Sequence, residues 1–103
     1  MSQGKGMKKL EEIVEIIGRH KAELSSEYGV SQLGIFGSYI RGQQSENSDV
    51  DILVDLEQPI GFVKFMKLES KISFLLGAKV DLVTRKALKP AIGKRILQEV
   101  RYV

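Results

Sequence analysis

The chain has 103 residues, enough for one domain with a modest core and too few for a second. At 43% hydrophobic and 28% charged, with no cysteine and a formal charge of +3, it reads as an ordinary soluble domain. This composition excludes a disulfide scaffold, a thiolate–zinc site and a strongly basic reader of duplex nucleic acid. No apolar run approaches the ~20 residues of a membrane helix. The polar, basic start, Met1 to Lys9, lacks the apolar core of a signal peptide. The absence of cysteine fits a reducing compartment, and the reading places the protein in the cytoplasm.

Residues 1–6 read as a flexible N-terminus, and residues 7–103 as one folded unit. From Met7, the apolar positions Leu10, Ile13, Val14, Ile17 and Leu24 follow helical spacing, with Lys8, Glu11, Glu12 and Glu15 on the other face. Gly29 should stop this helix after Tyr28. His20, late in it, reads as a surface residue. Val30 to Phe36 is the first strand, closed by Gly37. Ser38 to Arg41 is a single helical turn, because Gly42 and the polar run Gln43 to Ser48 cannot continue one. Val50 to Leu56 is the second strand, with a continuous apolar centre, Ile52-Leu53-Val54.

Pro59 ends that strand, and Ile60 to Leu76 reads as a second amphipathic helix ending at Gly77. Lys79 to Thr84 alternates as a third strand, with Val80, Leu82 and Thr84 on one side and Lys79, Asp81 and Val83 on the other. A basic connector leads to Pro90, where a last helix starts. Its apolar face is Leu88, Ile92, Ile96 and Val100, leaving Lys94, Arg95, Glu99 and Arg101 outside. The order predicts an α/β (α+β) layer fold: a small mixed sheet of three to four strands with helices packed on it. Exposed apolar positions and free strand edges leave room for a homo-oligomer or a hetero-oligomer.

Chemistry concentrates between Gly34 and Asp55. Asp49 and Asp51, at i and i+2 where a strand starts, lie on one face. Such a pair alone is either a solvated turn or a cation site. Magnesium takes one or two carboxylates and completes its shell with phosphates and water. Asp81, flanked by Val80 and Leu82, is either paired with a cation such as Lys79 or Lys21, or is a third carboxylate of the same site. If the third strand lies beside the second, the three acids converge and need a cation. Gly37-Ser38 after the first strand is a plain turn or a phosphate cradle. Arg41 either contacts a phosphate or pairs with Glu46 or Asp55. Ser48 orients the loop before Asp49.

Gly37-Ser38, ten intervening residues, then Asp49-Val50-Asp51 resembles the polymerase-beta-like nucleotidyltransferase superfamily. Gly-Ser-Tyr-Ile-Arg-Gly, followed by Ser-Asp-Val-Asp-Ile-Leu-Val, is similar to its minimal nucleotidyltransferases, the antitoxins paired with HEPN-type ribonuclease toxins. The tail fits as well, with Lys79-Val-Asp-Leu-Val-Thr, Leu88-Lys-Pro and Ile96-Leu-x-Glu-Val-x-Tyr. The resemblance spans Val30 to Val103. It implies transfer of AMP from ATP, with two magnesium ions, to a tyrosine hydroxyl of the toxin. It also implies that Gly37 and Ser38 hold the triphosphate, and that Asp49, Asp51 and Asp81 are metal ligands and catalytic groups; Arg41 and Ser48, from their places in the loop, are grouped with the nucleotide-binding residues. The alternative is a nucleotide-binding antitoxin that neutralises its partner by occlusion, without catalysis.

Overall fold

The computed structural model describes residues 9–103. The expected flexible end, and Met7 and Lys8 of the first helix, lie outside the described residues. The described elements are α1 (Leu10–Tyr28), β1 (Val30–Phe36), α2 (Ser38–Arg41), β2 (Val50–Leu56), α3 (Gly61–Leu76), β3 (Val80–Thr84), a 3-10 turn (Arg85–Ala87), α4 (Pro90–Glu99) and β4 (Arg101–Tyr102).

The sheet runs β3-β2-β1-β4. β1 pairs antiparallel with β2 and β4, while β2 and β3 run parallel, joined by α3 as the crossover helix. The mixed sheet therefore has four strands. The fourth, Arg101–Tyr102, lies where the sequence suggests the end of a helical face. Val100 is extended and caps α4 instead of continuing it.

One face of the sheet carries the core. Leu33, Ile35, Val50, Ile52, Val54, Val80 and Leu82 alternate onto it and meet Ile13, Ile17 and Leu24 of α1 and Leu68, Ile72 and Leu76 of α3, all buried. Each of these larger side chains contributes about 1.5–3 kcal/mol by leaving water. The opposite face takes the intervening residues, among them Asp51, Leu53, Asp55, Asp81 and Val83. The apolar face expected for α4 is only partly used. Ile92 is exposed, and Gly93 is the buried position, against which Leu88 packs.

β4 is short but well anchored. Arg101 reaches Glu11 of α1 at 2.7 Å, and the Val103 N–H donates to the Leu33 carbonyl at 3.0 Å. The Tyr102 hydroxyl accepts from Arg85 at 2.7 Å, whose guanidinium lies over the tyrosine ring. Gly34 permits this approach: a Cβ there would stand 2.6 Å from Val100 Cγ2 and 3.0 Å from the Arg101 carbonyl. On α3, Phe62, Val63, Met66 and Phe74 remain exposed. Among the described residues, no helix is long and apolar enough to cross a membrane.

Candidate active site

The parallel register of β2 and β3 places Asp51 directly beside Asp81. Both point away from the core, because their neighbours Val50, Ile52, Val80 and Leu82 point into it. Asp49 precedes β2 by one residue and shares the face of Asp51. The Val50 N–H donates to the Lys79 carbonyl at 2.9 Å, so the pairing that aligns the carboxylates begins at the strand mouth. Asp81 is exposed, while Asp49 and Asp51 are half-buried. Asp81 is not buried in its strand: alternation turns it to the open face of the sheet, while its neighbours Val80 and Leu82 are buried.

β1 delivers the other half of the site. Phe36 is opposite Asp51 in the antiparallel register, so Gly37 emerges against that carboxylate. Gly37 is buried, with φ 80° and ψ −148°, a conformation that residues bearing a side chain avoid. A Cβ on it would collide with Oδ2 of Asp51 and stand 2.9 Å from Cγ. Glycine is thus required twice, by its torsions and by the nearness of Asp51. α2 then turns back at once, with Ile40 and Arg41 N–H groups donating to the Gly37 carbonyl at 3.0 and 3.2 Å. Tyr39 anchors this turn in the core.

Arg41 pairs with neither Glu46 nor Asp55. Its Nη1 donates to both carboxylate oxygens of Glu99 at 3.1 Å, and its Nε donates to Gln43 Oε1. Asp55 instead lies 3.6 Å from Arg85 Nε at the far end of the sheet. Oε2 of Glu99 also accepts the Gly37 N–H at 2.7 Å. Sequence reasoning missed Glu99 and assigned it to the solvent side of α4. The Ser48 hydroxyl accepts the Ser45 N–H at 2.8 Å, bracing the loop as expected. His20 bonds the Ile16 carbonyl within its own helix.

Burial, then the charges of Asp81 and Asp49, push the Asp51 carboxyl up to about 6; Arg41 opposes this and Glu99 adds to it. Among the described residues, no three His, Cys, Asp or Glu side chains are drawn together as a ready metal cage. Asp49, Asp51 and Asp81 sit at the mouths of two neighbouring strands, β2 and β3. Their chemistry fits a hard divalent cation: oxygen donors only, on one face, with one carboxyl whose charged form a nearby positive charge would favour.

The sequence profile of the nucleotidyltransferase domain family matches residues 17–103. The chain belongs to that family. This nucleotidyltransferase is 51% identical over 94 residues to the protein adenylyltransferase MntA of Thermococcus cleftensis, covering 91% of this chain and 95% of that one. It is 45% identical to a provisionally named protein adenylyltransferase of Methanocaldococcus jannaschii, over 94% of this chain and all of that one. Its fold matches the solved structure of a provisionally named minimal nucleotidyltransferase with a TM-score of 0.74 at 29% identity, covering 95% of this chain and 98% of the other. A toxin–antitoxin crystal structure with AMP-PNP shares the fold at a TM-score of 0.67 and 22% identity, over 89% of this chain and 69% of that one. The nucleotidyltransferase is therefore an enzyme of the minimal type.

Proposed function

We propose that this enzyme transfers AMP from ATP, with magnesium, to a tyrosine hydroxyl of a cognate HEPN-type toxin and thereby silences it. The observation that carries the reading is the pairing of Asp51 with Asp81 in register, against the Gly37 turn. Support for a protein acceptor comes from the protein adenylyltransferase relatives, and support for the nucleotide from the AMP-PNP complex of the shared fold. The exposed apolar stripe of Phe62, Val63, Met66 and Phe74 is the kind of surface that another protein covers.

In this reading each site residue has a role. The Gly37 N–H and the Ser38 hydroxyl hold the β- and γ-phosphates, and Arg41 braces them from one helical turn away. Asp49 and Asp51 would hold magnesium together with the phosphates, and Asp81 is the third carboxylate, nearest the acceptor. Magnesium, when bound, would supply positive charge to the triphosphate and to the acceptor oxygen. Asp81, exposed at the edge of the cluster, faces the incoming tyrosine and takes its proton. A bond forms from the tyrosine oxygen to the α-phosphorus, the bond from that phosphorus to the bridging oxygen breaks, and pyrophosphate leaves. The test is incubation with labelled ATP, magnesium and the toxin encoded next to the enzyme, followed by mapping of the label. Label on a toxin tyrosine supports the proposal; toxin that stays unlabelled under conditions where it is neutralised refutes it.

A further inference from the structure

We infer that Glu99 is an internal competitor of the nucleotide: its carboxylate occupies the donors that bind the triphosphate, and nucleotide must displace it. The inference rests on the reading of Gly37 and Arg41 as phosphate donors.

The placement of Glu99 is built in by the sheet. β4 pairs with β1 through Ile35↔Arg101 and Gly34↔Tyr102. Glu99, the end of α4, lies two residues before Arg101, and Gly37 lies two after Ile35, so this pairing brings the end of α4 beside the turn that follows β1. The Gly37 N–H donates to Oε2 at 2.7 Å, and Arg41 Nη1 is 3.1 Å from both oxygens. A backbone N–H and a guanidinium converging on one carboxylate form an anion site, and here its occupant comes from 62 residues away. The occupant is also out of place by charge, since it adds a fourth acid beside Asp49, Asp51 and Asp81. The donor pair is what holds it there.

Gly37 has a single N–H, so carboxylate and phosphate exclude one another. Glu99 is the last residue of α4 and is partly exposed, with side-chain relative exposure of 24%. It can swing out about its own torsions while the Arg101 and Tyr102 contacts keep β4 in place. Only the released fraction of molecules is competent to bind, so the apparent affinity is reduced by that fraction.

The test compares affinity for ATP with magnesium by calorimetry in the parent, Glu99→Gln and Glu99→Asp, each checked by its melting curve. Glu99→Gln weakens the internal contact and should bind about fivefold more tightly. Glu99→Asp keeps the charge but shortens the reach, and it too should bind more tightly. In NMR spectra of the parent, the Gly37 amide proton should lie far downfield, lose that shift in both variants, and move as ATP with magnesium is added. Parent that binds, with folded variants that bind equally or more weakly, overturns this inference alone. Tighter binding by Glu99→Gln but not by Glu99→Asp also overturns it, because through-space repulsion then suffices. Parent that does not bind ATP with magnesium overturns the phosphate-donor reading and this inference together.

Discussion

Asp51 and Asp81 stand side by side at matched positions of two parallel strands, and Asp51 also lies against the backbone of Gly37. The arrangement stores like charge at a place where the fold gains nothing from it. In metal-free protein, Asp51→Asn should therefore be more stable than the parent, by about 1 kcal/mol or about 5 °C in melting temperature. Transfer should fall on the order of a thousandfold.

The same stability gap should depend on pH, with a determined sign. The Asp51 carboxyl titrates at about 6 when folded and near 3.8 when unfolded, so the folded state holds its proton longer. Its relative stabilisation is present below the lower value and is lost as pH rises through the upper one. Melting curves in chelator should show parent and Asp51→Asn converging below about pH 4 and parting above about pH 6. A gap that widens toward acid would contradict the assignment.

Gly37 and Gly42 both have positive φ, but only Gly37 lacks room. Gly37→Ala must move Asp51 and adopt a disfavoured backbone, so it should cost at least about 2 kcal/mol and abolish transfer. Gly42→Ala meets open space and should cost about 1 kcal/mol, with transfer retained. Urea titrations alongside the transfer assay separate the two.

Much of this was readable from punctuation. Gly29, Gly42 and Gly77 take left-handed conformations at the ends of α1, α2 and α3, and β1, α2 and β2 begin and end where the sequence reading puts them. The carboxylates were readable because period-two alternation assigns Asp49, Asp51 and Asp81 to one face as soon as β2 and β3 are neighbours. Two things were hidden. β4 is two residues long and lacks an apolar run, so Val100 looked like a fourth helical contact. The position of Glu99 follows from β4 pairing with β1, a long-range event that helix periodicity cannot express. Its only trace in the chain is the tail pattern from Ile96 to Tyr102, which contains it.

Gly34 tests that long-range placement. Gly34→Ala should push Val100 and the Arg101 carbonyl away from β1, at a cost of about 1–3 kcal/mol. Hydrogen exchange should then accelerate at the Val103 amide, which bonds the Leu33 carbonyl, while the amides of β2 stay protected.

Asp81 is separable from the phosphate-side acids because it is exposed and on a different strand. Asp81→Asn should retain ATP binding within a few-fold and lose transfer. Lost binding would make it a metal-loading residue instead.

Neutralisation by this enzyme, as proposed, is chemical. The most direct measurement pairs growth rescue by the enzyme in cells making its toxin with mass spectrometry of that toxin, for the parent and for Asp49→Ala with Asp51→Ala. The parent should give rescue and AMP on a toxin tyrosine, and the variant neither. Equal rescue by a folded variant that leaves the toxin unmodified would contradict chemical neutralisation.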